Sequence, residues 1–346
     1  MSFCLALEAS SLLSHKRSGI QRYIFELSSA LTATLPEGWT VRLSYPWTRY
    51  RKRHLRPELS TAHVWELPLV GLRGIELVHA LDTRLPRSRY RHLVCTVHDL
   101  FSIVLPGHGS RSFRRRKRAS YARIARLAER IIVPSQATRG DLLEHTGVQP
   151  ERIRVVPHGV SSCFVDAYAR DKGVRGGYVL AFGGGGRKNL VNVVRAFALA
   201  RLPEELTLKV VGAVSGQSRA EASRLGVADR LQPLGRMSDA AMAGLYAGAA
   251  MLCFPSLCEG FGLPVLESMA AGTPVVTSRT GATAEIGKHH AQLVDPHLPE
   301  AIARGMEAAA QAGPEQLRSA HDYARGFSWE RCAAQTLSVY RECLGS

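Results

Sequence analysis

Short apolar runs alternate with amphipathic stretches along most of this chain. Runs at 3–7, 77–79, 93–97, 131–134 and 153–156 are rich in Leu, Val and Ile. That is the pattern of strands buried on both faces. Between several of them the period changes to that of a helix. Ile20, Ile24, Leu27 and Leu31 recur at i, i+4, i+7 and i+11, one helical face, and Phe113, Tyr121, Ile124 and Ala128 form a second such face opposite a side filled with arginine. Ser135, directly after the run at 131–134, suits a helix N-cap. A second series begins near residue 177, with strands expected at 178–182, 206–211, 251–254, 274–277 and 292–294 and helices at 190–200, 220–226, 239–247 and 265–271.

Strand–helix alternation predicts parallel α/β sheets, and two such series predict two doubly wound domains. Length agrees: 346 residues exceed the ~100–200 of one domain. The expected division is 1–165, then 175–328, with a C-terminal helix over 329–346 packing back on the first domain. The polar segment 161–177 is the candidate hinge. In doubly wound sheets a ligand sits at the carboxyl ends of the strands.

Charge changes the picture: 45 Lys+Arg against 29 Asp+Glu give a formal +16. Such a field favours anionic partners: nucleic acid, phosphorylated substrates or an acidic membrane. No nucleic-acid-binding module is recognisable, and none is expected as a partner. Seven scattered cysteines with no C-x-x-C read as buried free thiols of a reducing compartment. The N-terminus lacks a basic region ahead of its apolar stretch, so no signal peptide is expected. No apolar run approaches the ~20 residues that span a bilayer. The expectation is a cytoplasmic protein, peripheral at most. Dispersed histidines (His289, His290, His297) and the absence of any D-x-D lead to the expectation of no essential metal and no cofactor.

The most informative segment runs from Phe254 to Pro274: strand, glycine-rich loop with Glu259, Gly260, Phe261, Gly262, Leu263 and Pro264, helix with Glu267, a stop at Gly272, and strand again. Pro264 suits the first helical position and Gly272 the helix end. Val265, Leu266, Met269 and Ala270 cluster on one side of the wheel, and Glu267 lies well away from their centre, where it can point out of the core. Glycines let backbone amides approach a ligand, and a helix N-terminus attracts anions. Arg187 and Lys188 follow four glycines, Gly183 to Gly186, at a predicted strand's carboxyl end, and Asn189 can cap the next helix. The bland alternatives are exposed acids for Glu259 and Glu267 and a solvated loop for Arg187 and Lys188.

At these residues the sequence resembles the retaining GT-B glycosyltransferases of the glycogen-synthase and bacterial mannosyltransferase type. Their signature is two glutamates with seven residues between them, including Gly-Phe-Gly-Leu-Pro, matched by Glu259 and Glu267. The resemblance extends through Ser18-Gly19-Ile20-Gln21-Arg22-Tyr23, Val97-His98-Asp99-Leu100, Pro157-His158-Gly159-Val160, Arg187-Lys188-Asn189, Gly235 before Ser238-Asp239, and Glu285 after Gly281. It implies a GT-B fold, two facing Rossmann-like domains with an interdomain cleft, and a nucleotide-sugar donor. It also implies that Glu267 binds the ribose, that Glu259 orients the donor sugar, and that amides around Phe261, Gly262 and Leu263 hold its hydroxyls. Arg187 and Lys188 would neutralise the diphosphate, His98 would face the sugar from the first domain, and Gly19 would approach phosphate or acceptor. Asp99 and Glu285 are further candidates. Many members carry an additional arginine after the strand, where this loop has only glycine. Domain closure would exclude water and bring His98 to the donor.

The relatives suggest GDP-mannose or a related GDP-sugar as donor, and a saccharide or lipid-linked saccharide as acceptor in polysaccharide or lipopolysaccharide synthesis. Two basic stretches, Arg111 to Arg118 and Trp47 to Arg53, are either solvated faces or sites of docking on anionic lipid. Competing readings on the same fold are a nucleotide-sugar 2-epimerase, a phosphorylase-like enzyme and a non-catalytic scaffold. Glu259 and Glu267 argue against the epimerase, and those two with Arg187 and Lys188 argue against the scaffold.

Overall fold

A computed structural model describes residues 3–14, 18–55, 61–66, 74–86, 90–107, 109–169, 176–235 and 237–345. The chain divides into two compact units, Met1–Gly159 with Ser328–Ser346, and Val160–Phe327.

The first unit is a seven-stranded parallel sheet in the order β3-β2-β1-β4-β5-β6-β7. Its strands are β1 (Phe3–Glu8), β2 (Trp39–Pro46), β3 (Ala62–Glu66), β4 (Leu77–Ala80), β5 (His92–Thr96), β6 (Arg130–Val133) and β7 (Ile153–Val155). Helices α1 (Gly19–Thr34), α2 (Phe101–Val104), α3 (Arg111–Leu127) and α4 (Gln136–Thr146) connect them. Strand side chains alternate faces, so neighbours join different cores. Leu5, Leu7, Leu77, Val94 and Ile132 pack with Tyr23, Ile24, Leu27 and Leu31 of α1. Ala6, Val78, Leu93, Cys95 and Ile131 pack on the other side with Ile103, Tyr121, Ile124 and Leu142 of α2, α3 and α4. Burying each Leu or Ile side chain contributes about 1.5–3 kcal/mol.

The second unit is a six-stranded parallel sheet in the order β10-β9-β8-β11-β12-β13. Helix α5 (Ser162–Ala169) precedes it, with Phe164 buried in this unit's core, so the segment expected as a hinge is helical there; residues 170–175 of that segment lie outside the described residues. The strands are β8 (Tyr178–Phe182), β9 (Thr207–Val211), β10 (Leu231–Gly235), β11 (Met251–Phe254), β12 (Val275–Ser278) and β13 (Gln292–Val294). The helices between them are α6 (Leu190–Leu199), α7 (Gly216–Arg224), α8 (Asp239–Ala247), α9 (Leu263–Ala270) and α10 (Gly281–Gly287), followed by α11 (Pro299–Ala310) and α12 (Pro314–Arg325). Leu180, Leu252 and Phe254 face α5, α8 and α9, while Val179, Met251 and Cys253 face α6 and α11. The C-terminal helix α13 (Trp329–Leu344) belongs to the first unit, where Trp329, Cys332, Leu337 and Tyr340 share the core of α1.

Both sheets change direction of winding beside their first strand. In the first unit β1 lies between β2 and β4; in the second β8 lies between β9 and β11. These are the switch points where doubly wound sheets bind ligands.

Three strands went unread in the sequence. β2 exposes Thr40 and Arg42 in alternation with buried Val41 and Leu43, so it offers no continuous apolar run. β3 and β10 are edge strands, and β10 carries Pro233. An edge tolerates a residue without an N–H. α7 starts at Gly216, ahead of the expected 220, because Ser215 accepts a bond from the Ser218 amide. Ala128 caps α3 rather than lying inside it, and Ser135 caps α4 as expected. All seven cysteines are free; Cys95, Cys253 and Cys332 are buried and the other four half-buried. No helix among the described residues is long and apolar enough to cross a membrane.

Candidate active site

At the second unit's switch point two loops leave neighbouring parallel strands. The loop after β8 holds Gly183 to Asn189, and the loop after β11 holds Pro255 to Gly262. The glycines are there for shape. A Cβ on Gly183 would strike the Ala213 carbonyl, and Gly184 and Gly185 take φ of 94° and 152°. The chain then closes into a 3-10 turn at Gly186–Lys188.

Arg187 and Lys188 converge on Glu259. Arg187 Nη1 lies 2.5 Å from Glu259 Oε2, and Lys188 Nζ lies 2.8 Å from Oε1. Ser256 Oγ donates to Oε1 as well, at 2.8 Å. Lys188 Nζ also sits 4.5 Å over the Phe254 ring, a cation–π contact. Burial pushes the Glu259 carboxyl up, but the two cations and their hydrogen bonds outweigh it and hold the group below its ordinary range. Glu259 is therefore a carboxylate at neutral pH.

The loops are fastened through their backbones. The Arg187 carbonyl accepts from Leu257 N at 2.8 Å and from Ser256 Oγ at 2.9 Å, while Arg187 Nη1 donates to the Cys258 carbonyl at 3.0 Å. Asn189 closes the arrangement. Its Nδ2 donates to the Pro255 carbonyl at 3.1 Å and the Pro296 carbonyl at 2.6 Å. Asn189 stands in the left-handed region, φ 61°, which asparagine tolerates better than most side chains. It holds the loops together rather than capping α6, whose first turn receives no bond from its side chain.

Gly262 enters α9 at φ 107°, and Pro264 stands second in the helix rather than first; its missing N–H is still one that would lack an intrahelical partner. Gly272, at φ 75°, follows the helix end as expected. Phe261 turns its ring into the core of this unit, and Leu263 is half-buried beside that core. Glu267 corrects an expectation. It does not point out of the core: it is 4% exposed, and its Oε2 accepts from Tyr246 Oη of α8 at 3.0 Å. The wheel considered α9 alone, whereas α8 supplies a polar partner that makes burial tolerable. Glu285 stands half-buried on α10.

In the first unit His98 follows β5 and is buried. Its Nε2–H donates to the Leu81 carbonyl at 2.8 Å, leaving Nδ1 unprotonated in the neutral ring. Burial pushes its pKa down, against the opposing influence of the Leu81 carbonyl and of Asp82 and Asp99. The ring packs against Tyr23 at 4.7 Å and His158 at 5.5 Å. Asp99 is half-buried and offers its carbonyl to Tyr121 Oη at 2.9 Å. Gly19 is the exposed first residue of α1, whose Ser18 cap accepts from Gln21 N. At this unit's switch point lies a polar group that the sequence did not disclose. Ser11 Oγ donates to Asp82 Oδ2 at 2.5 Å, Arg84 N donates to Asp82 Oδ1 at 2.6 Å, and Arg84 Nη1 donates to Ser10 Oγ at 3.2 Å. No group of three or more metal-ligating side chains converges among the described residues, and His290 stacks on Tyr323 at 4.5 Å.

Comparison with known proteins bears on the family and the fold. Residues 184–327 match the family described as Glycosyl transferases group 1, and residues 17–162 match Glycosyltransferase Family 4. The MMP alpha-(1->4)-mannosyltransferase of Mycolicibacterium hassiacum is 32% identical over 237 residues, 64% of this chain and 56% of that protein. The D-inositol 3-phosphate glycosyltransferase of Arthrobacter sp. (strain FB24) is 30% identical over 318 residues, 84% of this chain and 72% of that protein. The chain thus spans little more than half the length of the first of these relatives. Among solved structures, sucrose-phosphate synthase of Thermosynechococcus elongatus superposes with a TM-score of 0.77 at 20% identity, covering 100% of both chains. That likeness is one of fold.

Proposed function

The chain belongs to the group 1 and family 4 glycosyltransferases of GT-B fold, and from that premise we propose that it transfers a sugar from a nucleotide-sugar donor to a saccharide or lipid-linked saccharide, with retention at the anomeric carbon. The observation that carries the reading is the meeting of Arg187 and Lys188 with Glu259 at the switch point of the second sheet. A diphosphate placed there draws both cations toward its oxygens. Charge growing on the leaving phosphate is then stabilised by donors already in position. Glu259, released from part of its pairing, accepts from the donor sugar's hydroxyls. Glu267, held by Tyr246, accepts from the ribose. The acceptor oxygen bonds to the anomeric carbon on the face from which the phosphate oxygen departs, and the acceptor's proton passes to that departing oxygen. No covalent sugar–enzyme intermediate forms.

A mannosyltransferase at 32% identity and an O-antigen chain mannosyltransferase B of Escherichia coli at 27% support mannose as the sugar, and GDP-mannose is the donor of this proposal. Thermal-shift measurement against UDP, GDP, dTDP, ADP and their sugars tests this. A ligand at 100 times its Kd stabilises the native state by about 2.7 kcal/mol. GDP and GDP-mannose should raise Tm most; a larger shift with another base moves the donor assignment, and no shift with any of them removes the function.

A peripheral place on the cytoplasmic face of an anionic membrane is part of the same proposal. Arg111, Arg115, Arg116, Arg118, Arg123 and Arg126 are exposed on α3. Trp47 is 48% exposed, stacks on Tyr50 at 4.5 Å, and Arg53 lies 4.7 Å over the Tyr50 ring. Each cation near such a surface contributes about 1 kcal/mol. Unchanged sedimentation with phosphatidylserine vesicles after neutralising Arg115, Arg116 and Arg118 would remove this part.

A further inference from the structure

The core between the first sheet, α1 and α13 contains a line of polar groups that the reaction above does not use. Tyr340 Oη lies 2.7 Å from His79 Nδ1, His79 Nε2 lies 2.8 Å from Thr96 Oγ1, and Thr96 Oγ1 lies 2.9 Å from Tyr23 Oη. Tyr340, His79 and Thr96 are fully buried and Tyr23 is 1% exposed. The line joins four elements: α13, β4, β5 and α1.

Apolar side chains of similar volume would fill this core without the cost of desolvating four polar groups. What the polar line adds is orientation. Every member has its partner, and a satisfied buried network specifies one arrangement of its side chains. Its far end is Tyr23, whose ring meets His98 edge-on at 4.7 Å and 81°. His98 is fixed at one nitrogen by the Leu81 carbonyl, so the rings around it set its remaining rotation. The other ring beside it is His158, and Trp329 stacks on His158 at 6.0 Å and 24°. Tyr340 and Trp329 both belong to α13.

We propose that the C-terminal helix α13 positions His98, through Tyr340, His79, Thr96 and Tyr23 on one side and through Trp329 and His158 on the other. The inference rests on the reading of His98 as a residue that faces the donor sugar. Tyr340, His79, Thr96, Tyr23 and Trp329 are positioning residues; none of them is assigned a contact with substrate.

The test uses the full chain with Tyr340→Phe and Thr96→Val, which each delete a hydroxyl at nearly constant volume, and Thr96→Ser, which keeps one. Two readouts are taken: GDP-mannose turnover, and nitrogen-15 spectra of the imidazole rings. Tyr340→Phe and Thr96→Val should lower kcat on the order of 10-fold with KM for the donor little changed, since small misplacements of a reacting group act on turnover. In the spectra both should shift the His98 ring resonances from their wild-type positions, and Thr96→Ser should restore both readouts. A purely structural line would lower Tm and leave kcat and the His98 spectrum of the folded protein as in wild type, which would overturn the inference. Should both deletions fail to fold, Trp329→Phe, which alters the ring stacked on His158, takes their place with the same two readouts, and wild-type values of both overturn the inference. If GDP-mannose is not turned over, the spectra carry the test. His98→Ala separates the two levels. Wild-type turnover in that variant sinks the reading of His98 itself; lost turnover there, with wild-type behaviour of Tyr340→Phe and Thr96→Val, sinks only the role of α13.

Discussion

The two sheets share one winding, yet the residues after their central strands are built from opposite chemistry. In the second unit Glu259 is held in its charged form by Arg187 and Lys188. In the first unit His98, His158 and His79 are surrounded by rings and hydroxyls, and burial pushes all three toward the neutral form. Burial alone does not set the charge of a site; the partner does. A carboxylate buried with two cations stays ionised, and an imidazole buried among aromatic rings stays neutral.

The comparison breaks most visibly on the charged side. Lys188→Ala or Arg187→Ala should lower turnover by roughly 10²–10³-fold, the usual loss for one contact that stabilises charge in the transition state. Steady-state rates with GDP-mannose check this, and wild-type rates would remove both cations from the chemistry.

Acid should separate the units. The unfolded chain protonates His79 below its ordinary 6.5, while the folded chain holds it neutral down to about 3. The stability it contributes is complete above 6.5 and drains away as pH falls toward 3. At pH 5 the loss is about 2 kcal/mol from His79 alone, and His98 and His158 move in the same direction. Glu259 keeps its contribution until pH falls below the ordinary 4.5 and then loses it through its lowered folded value. All four tryptophans, Trp39, Trp47, Trp65 and Trp329, belong to the first unit. Their fluorescence should therefore report thermal unfolding that shifts to lower temperature between pH 7 and pH 5, ahead of the helical circular dichroism, to which both units contribute. Coincident transitions at both pH values would contradict the contrast.

A smaller effect is expected at Asn189. Asn189→Gly keeps the left-handed backbone but loses the bonds to the Pro255 and Pro296 carbonyls. At about 0.5–1.5 kcal/mol for each bond lost, stability should fall by about 1–3 kcal/mol in chemical denaturation, with turnover falling alongside. Asn189→Ala, which adds backbone strain, should fall further; equal stability of the two variants would show that φ at this position matters little. The smallest change belongs to the exposed cations of α3. Arg115→Gln and Arg116→Gln should alter stability by no more than about 0.5 kcal/mol.

Legibility in the sequence followed the same physics. Strands buried on both faces, such as β8 and β11, announce themselves as apolar runs, and the glycine-rich loop between β11 and α9 announces itself by spacing. β2 alternates and β3 and β10 lie at edges, where neither a continuous run nor a full set of backbone donors is needed. Arg187, Lys188 and Glu259 were legible because they flank glycines at strand ends. Ser256 and Tyr246 were not, and Asn189 was legible only as a cap, because their importance lies in partners up to 107 residues away in the chain. Glu267 was legible as a residue and misplaced as a direction, since a single helix does not reveal that α8 covers it with a hydroxyl.

The claim on which the rest stands is that Arg187 and Lys188 hold a nucleotide's diphosphate while Glu267 holds its ribose. Calorimetric titration of GDP and of guanosine into wild type, the Arg187→Ala, Lys188→Ala double variant and Glu267→Ala tests it most directly. The account predicts that wild type favours GDP strongly over guanosine, that the double variant loses most of this preference, and that Glu267→Ala weakens both ligands alike. A double variant that still prefers GDP as wild type does would contradict it.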